Sequence, residues 1–302
     1  MSDIEQRIEQ VRNDHEHGSR WLVRETILIL QNLAQATNSS SQEQMRHLNE
    51  VGRSLAQARP SMAALASAVG RVLTAQGGPD AIAQEAERLL HEYDTATARI
   101  AEHAHSLLHG TLMTCSISGT VLEVLTANRQ AIQQVITLEG RPRYEGRQMA
   151  SALSQNGLAV TLITDAQADI FMPQCNCVVI GADSVLANGD VLNKAGTALL
   201  GWSAQGHHVP LYVLCETLKI SSQRWQHGAE HWQANLALLE EKEGKEVLEH
   251  PLAGVTVRNF YFDRTPSALV SKVVTEQGVL DAQGIAKIAA QVEHERQMLA
   301  LK

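Results

Sequence analysis

From Gly181 to Thr197 the chain reads Gly-Ala-Asp-Ser-Val-Leu-Ala-Asn-Gly-Asp-Val-Leu-Asn-Lys-Ala-Gly-Thr. Two carboxylates, two amides and a lysine stand there among small residues. The apolar run Cys177-Val-Val-Ile180 precedes it and reads as a buried strand. Residues 198–205, rich in Ala and Leu, follow and read as a helix. In an open α/β sheet, ligands bind outside the carboxyl ends of the strands. The stretch is therefore a candidate polar site at a strand end, and its contents depend on other segments.

A second such segment is Leu112-Met-Thr-Cys-Ser-Ile-Ser-Gly-Thr-Val121, a strand that runs into a helix through Ser and Gly. Free amides at a helix N-terminus, with the hydroxyls of Ser116, Ser118 and Thr120 and the bare Gly119, make a phosphate-sized anion site. An ordinary N-cap gives the same pattern and is the simpler reading of this segment alone. Cations fall near other predicted element ends. Arg59 precedes Pro60, placed in the first turn of a predicted helix. Arg141 follows one predicted strand, Lys219 follows another, and Lys194 lies in the opening stretch. Each alone is a solvated side chain. Together they suggest a phosphorylated ligand in an otherwise acidic protein.

Other chemistry is poorly supported. No G-x-G-x-x-G follows a strand and no G-x-x-x-x-G-K-[ST] is present, so no nucleotide cofactor is expected. Cys175 and Cys177 have no second ligand pair at zinc spacing and read as core thiols. The pairs His15/His17, His103/His105 and His207/His208 form no ligand pattern, so no metal is expected. Asp165 either holds turn amides at a strand end or is functional. Trp225 and Trp232 pack or cover a surface.

Before about residue 110 the periodicity is helical. Leu22, Ile29 and Leu33 form one apolar stripe, Met45, Leu48, Val51 and Leu55 a second, and Met62, Leu65, Val69 and Leu73 a third. Gly77-Gly78-Pro79-Asp80 opens a fourth helix reaching about Leu108, and no strand is expected in this part. Afterwards short apolar runs at 110–114, 134–138, 159–164, 177–180 and 210–215 alternate with helical segments at 120–129, 146–156, 166–172 and 194–205. That alternation implies βαβ units and a mostly parallel sheet. Residues 223–250 read as a polar loop or helical excursion, 254–260 as another strand, and 281–302 as a charged amphipathic helix.

Composition bounds the rest. The chain has 302 residues, long enough for two domains, with 44% hydrophobic residues and a net charge of -8. An acidic balance argues against direct nucleic-acid or anionic-membrane binding. It leaves room for a basic protein partner. No apolar run approaches the ~20 residues of a membrane span. Ser2 to His17 is charged and polar, unlike a signal peptide. The four cysteines make no disulfide framework, so a reducing cytoplasm is expected.

These segments together carry a resemblance. The chain resembles the superfamily that joins the α, β and δ subunits of translation initiation factor 2B with methylthioribose-1-phosphate isomerase and ribose-1,5-bisphosphate isomerase. The matching pieces are Ala58-Arg59-Pro60-Ser61, the turn 114–121, Arg141-Pro142 with Glu145-Gly146, Gly181-Ala182-Asp183, Asn188-Gly189-Asp190-Val191, and Asn193-Lys194 with Gly196-Thr197. Lys219, Asp263, Thr265-Pro266 and Thr275-Glu276-x-Gly278 complete the set. His17-Gly18-Ser19 is a weaker match to an early ligand-binding turn. The resemblance covers most of the chain and is strongest from about 110 to 280. It implies a helical domain over 1–108 and a Rossmann-like domain over 109–302, of the sugar-phosphate isomerase/CoA-transferase-like class. It also implies dimers or higher homo-oligomers formed through the C-terminal half.

The resemblance implies two possible chemistries. In the isomerases a cysteine and an aspartate exchange protons with a sugar 1-phosphate. The aspartate matches Asp183. The cysteine, in the pattern Thr-His-Cys-Asn, matches Ser116, and Cys115 falls one residue early. A thiol ionises near roughly 8.5, whereas a serine hydroxyl needs a dedicated base. If 112–116 is extended, Cys115 points to the opposite face and does not substitute. The preferred reading is a binding or regulatory protein. In it Gly18, Ser19, Arg59, Ser118, Gly119, Thr120, Arg141, Asn193, Lys194 and Lys219 hold a phosphorylated sugar or nucleotide, and Asp183 accepts a hydroxyl. The alternative is an aldose–ketose isomerase in which Asp183 works with Ser116, Cys115 or a water.

Overall fold

The computed structural model describes residues 3–14, 18–36 and 40–299. Five helices come first: α1 (Asp3–Asn13), α2 (Ser19–Gln35), α3 (Ser41–Ala56), α4 (Ala63–Leu73) and α5 (Pro79–Ala104). Their apolar stripes meet in one core of Leu22, Ile27, Leu30, Leu48, Leu55, Leu65, Ile82 and Leu89. Local signals set several ends. Ser40 and Glu43 form a reciprocal capping box at α3. Pro79 sits in the first turn of α5 behind Gly78 at φ 82°. Helix α1, which the sequence reading passes over, packs Val11 into the same core.

Helix α4 begins later than the sequence suggests. Pro60 lies outside it, in a turn closed by Met62 N–H donating to the Arg59 carbonyl at 3.0 Å. Its cap comes from far along the chain. The Ser184 hydroxyl accepts from Ala63 N–H at 3.0 Å and donates to the Ser61 carbonyl at 2.7 Å. The helical layer is thus pinned to the residue beside Asp183, a device no local sequence pattern could announce.

Twelve strands follow among the described residues: β1 (Gly110–Thr114), β2 (Ile132–Leu138), β3 (Val160–Ile163), β4 (Cys177–Ile180), β5 (Ser184–Val185), β6 (Val191–Lys194), β7 (Leu211–Leu214), β8 (Glu241–Lys242), β9 (Asn259–Phe260), β10 (Phe262–Thr265), β11 (Lys272–Thr275) and β12 (Gly278–Leu280). Between and after them run α6 (Gly119–Ala127), α7 (Glu145–Gln155), α8 (Ala168–Phe171), α9 (Thr197–Gly206), α10 (Trp232–Ala237) and α11 (Ala282–Met298). The main sheet has the order β12-β11-β7-β4-β1-β2-β3. Every pairing in it is parallel except β11 with β12. Both faces are covered. Val178 and Ile180 of β4 join one core, and Cys177 and Val179 join the other. A strand buried on both sides reads as a continuous apolar run, which is why 177–180 stands out in sequence.

The strand order reverses at β1. The chain builds β2 and β3 on one side of it, then returns to place β4 and β7 on the other. The crevice at the carboxyl ends of β1 and β4 is therefore the topological switch point. Departures from expectation lie mostly beyond it. Residues 191–194, assigned in sequence to the loop and helix start, form β6, paired antiparallel with β5 and β10. Of 254–260 only Asn259–Phe260 is extended. The strands β10, β11 and β12 are too short or too polar to show as apolar runs.

Gly146 permits the close packing of α7 on β2. A Cβ there would lie 1.6 Å from the Leu138 carbonyl oxygen, a backbone atom that cannot move aside alone. Gly146→Ala is expected to cost at least about 2–3 kcal/mol, the upper range for overpacking. Urea denaturation of the variant against the wild type measures it, and a loss under 1 kcal/mol would contradict this packing.

Candidate functional site

A cavity of about 800 Å3 opens over the carboxyl ends of β1 and β4. The helical layer lines one side of it through Gly18, Ser19, Arg20, Trp21, Arg24 and Arg59. The sheet layer lines the other. Gly18 is the N-cap of α2 and Ser19 its first residue. Of the expected site residues, Cys115, Ser116, Ser118, Gly119, Thr120, Asp183, Asn193, Lys194 and Lys219 also stand on the wall. Arg141 does not line it. Its guanidinium donates to Tyr144 Oη and the Val247 carbonyl, and Arg143 reaches the cavity instead. His15 and His17 lie outside the described residues.

The anion pole is built at α6. Ser118 is the N-cap, and its Oγ accepts from Val121 N–H at 3.3 Å. The first-turn amides of Gly119 and Thr120 have no partner within the helix by its geometry. Gly181, at the end of β4, lets this turn approach: a Cβ there would sit 2.8 Å from Ser118 Oγ. The Thr120 hydroxyl donates to Glu216 at 2.7 Å, and Glu216 is paired with Lys219 at 3.8 Å, both buried. Among the described lining residues are six Lys or Arg and four carboxylates. That local cationic excess sits in a chain of net charge -8.

The turn after β1 resolves which side chains share the cavity. Ser116 has φ 60°, a left-handed conformation that costs a non-glycine residue of order 1 kcal/mol. The chain is thus not extended through 116, and Cys115 and Ser116 both reach the cavity, contrary to the opposite-face expectation. Burial pushes the Cys115 thiol up to about 12, partly offset by its contact with Thr197 Oγ1 at 3.5 Å. It stays neutral at physiological pH. Ser116 Oγ donates to Glu145 Oε2 at 2.8 Å. The other oxygen of Glu145 holds Lys194 Nζ at 3.0 Å, and that ammonium lies 4.2 Å over the Tyr261 ring. Glu145, in the first turn of α7, is therefore the carboxylate partner that Ser116 lacks in sequence. The Glu145-Gly146 pair marks it, but only the fold brings it to Ser116.

Asp183 enters the cavity at the end of β4. Burial pushes its carboxyl up to about 6, with Lys219 pulling it down and Glu240 pushing it further up. Asn193 and Lys194 stand opposite on β6, where Asn193 donates to Thr197 Oγ1 at 3.0 Å. The rest of the opening stretch is structural. Asp190 is buried and accepts from Arg264 Nε at 2.6 Å and Ser267 N–H at 2.9 Å. Gly189, at φ 83°, makes the turn. Asp165 takes the turn-amide alternative, accepting from Gly140 and Arg141 N–H at 2.9 and 2.8 Å. Cys175 and Cys177 are buried free thiols. Among the described residues no group of His, Cys, Asp or Glu could hold a metal ion, and no helix is long and apolar enough to cross a membrane.

This fold and this strand-end cavity define an α/β protein of the sugar-phosphate-isomerase-like class. The chain belongs to the initiation factor 2 subunit family, whose profile matches residues 15–282. It is 30% identical over 279 residues to a putative translation initiation factor eIF-2B subunit 2-like protein of Pyrococcus furiosus, covering 90% of this chain and 94% of that one. It is 28% identical over 292 residues to ribose 1,5-bisphosphate isomerase of Archaeoglobus fulgidus, covering 93% and 90%. The crystal structure of Pyrococcus horikoshii OT3 translation initiation factor eIF-2B superposes with a TM-score of 0.76 at 26% identity, covering 93% and 97%. The family thus contains both factor-like proteins and isomerases.

The raised carboxyl of Asp183 has a sign. An unfolded aspartate ionises near 3.9, so the folded group binds more protons between pH of about 4 and 6. Its contribution to stability falls as pH rises through that window. Asp183→Asn is expected to gain about 1–2 kcal/mol above pH 6, the shift being discounted for cavity water. Unfolding measured at pH 4 and 7.5 checks it. Asp263, pushed up to about 6 by burial beneath α9, keeps the remaining slope.

Proposed function

We propose that this protein binds a phosphorylated sugar or nucleotide in the switch-point cavity and acts as a binding or regulatory member of its family. The observation that carries the reading is the pairing of the α6 N-terminus, whose Gly119 and Thr120 amides have no partner within the helix, with clustered cations on the same wall. A phosphate at Gly119 and Thr120 meets helix amides and dipole together. Hydroxyls of the ligand meet Asp183, Asn193 and Lys194. The proton-transfer chemistry is weakened, because the thiol is neutral and displaced and Ser116 is engaged by Glu145.

One observation favours the second reading, an aldose–ketose isomerase. A carboxyl poised near 6 inside a cavity suits proton exchange with sugar oxygens. Glu145, with Ser116 between it and the ligand, is then the base at carbon.

The two are separated by mixing the protein with ribose 1,5-bisphosphate and, separately, methylthioribose 1-phosphate, following ketose by NMR and thermal stability in parallel. The expected result is stabilisation without turnover. Turnover lost in Asp183→Asn establishes the isomerase. Neither stabilisation nor turnover, with nucleoside monophosphates equally silent, sinks the ligand reading.

We also propose self-association through the α8–α9 side of the sheet. Ile170, Leu199 and Trp202 are exposed there, Leu199 at 76%. Sedimentation is expected to show a homo-oligomer that Trp202→Glu dissociates, and a monomeric wild type would refute it.

A further inference from the structure

Tyr261 lies between β9 and β10, on the wall of the switch-point cavity. It is buried, and it is fixed at both ends. Its backbone N–H donates to the Glu240 carbonyl at 3.1 Å, and its carbonyl accepts from Ala195 N–H at 2.8 Å. Its hydroxyl donates to the Glu246 carboxylate, both oxygens lying at 2.7 Å, and Arg143 Nη1 stands 3.5 Å away. Glu240 and Glu246 follow α10, and neither lines the cavity. The ring is therefore a platform anchored through its main chain and its hydroxyl.

Lys194 rests on that platform. Its ammonium lies 4.2 Å from the ring centroid, well within cation–π range. Glu145 Oε1 holds the same Nζ at 3.0 Å. An ammonium has three donors. With one on Glu145 and the ring beside it, Lys194 keeps donor capacity for an oxygen in the cavity that it lines. Its charge is already met by a carboxylate and a π face, so its field on a distant anion is weak, whereas its reach as a donor at contact is intact. Lys219 is held differently. Glu216 lies 3.8 Å from its Nζ, too long for a hydrogen bond, and Glu216 accepts from Thr120 in the first turn of α6. The looser lysine thus stands with the helix amides, and the fixed one stands apart from them beside Asn193 and Glu145.

We propose, on the ligand reading of the switch-point cavity, that Tyr261 is a positioning residue that sets specificity. It holds Lys194 as a donor to a hydroxyl or carbonyl oxygen of a phosphorylated sugar, while the phosphate is held by α6 and Lys219. Titration of wild type, Tyr261→Leu and Tyr261→Phe with ribose 1,5-bisphosphate, beside thermal stabilisation by inorganic phosphate, tests it. Tyr261→Leu is expected to weaken the bisphosphate about tenfold, the scale of a desolvated cation–π contact, and to change the response to phosphate less than about twofold. Tyr261→Phe keeps the ring face and is expected to recover most of the affinity. In the free protein the Lys194 ε-methylene protons are expected upfield of their ordinary position in wild type and Tyr261→Phe, and not in Tyr261→Leu, which separates positioning from a general folding defect. Equal losses for both ligands, no loss in Tyr261→Leu, no recovery in Tyr261→Phe, no response of the wild type to phosphate, or no upfield shift in the wild type overturns this proposal alone. A wild type that fails to bind the bisphosphate overturns the proposal together with the sugar-phosphate reading beneath it.

Discussion

Gly181 leaves no room for a side chain unless the Ser118 hydroxyl that caps α6 moves aside. It ends β4 directly against the turn that ends β1, and a single methyl would press on Ser118 at 2.8 Å. That contact fixes how closely the two strand ends approach, and so fixes the crevice. The α6 amides, Asp183 and the Ser116 turn all hang from it. The parallel pairing of β1 with β4, on the far side from β2, is what makes the strand ends diverge. A crevice at the strand ends follows from topology before any particular side chain is chosen.

Within the crevice, charge is arranged in alternation. Glu145 joins Ser116 and Lys194, and Glu216 joins Thr120 and Lys219. Buried cations kept beside carboxylates hold their positions without a ligand, which avoids the large cost of isolated buried charge. The same carboxylates can only accept hydrogen bonds when ionised, so they favour a ligand rich in hydroxyl donors. On the proposed reading the cavity would select on two grounds, anion recognition at the helix end and hydroxyl recognition along the wall.

Much of this was legible in the sequence because it rests on local periodicity. The runs at 110–114 and 177–180 match β1 and β4 residue for residue. Ser118-Gly119-Thr120 is a visible helix start. What was not legible depends on distant contacts. Ser184 caps α4 across the chain, so the start of that helix was misplaced to include Pro60. Glu145 and Glu216 reach the wall only through the packing of α7 and the turn after β7. Asp190 carries the same carboxylate as Asp183 in the same stretch, yet Arg264 and Ser267 bury it in the hairpin. Residue type and spacing could not separate the two.

The turn at Ser116 brings these strands of argument together. An extended chain would have sent Cys115 away from the cavity. The left-handed residue keeps both side chains on it, and its strain is offset by the hydrogen bond to Glu145. The thiol is thereby present but half-buried and neutral, whereas the hydroxyl is placed against a carboxylate. If Glu145 took the proton from Ser116, Lys194 would have to stabilise a serine alkoxide at a distance, a heavy demand for one ammonium beside an aromatic ring. The same three groups meet an incoming phosphate or hydroxyl without any bond breaking. The geometry that remains after the thiol is displaced is thus better matched to holding a ligand than to moving a proton from carbon.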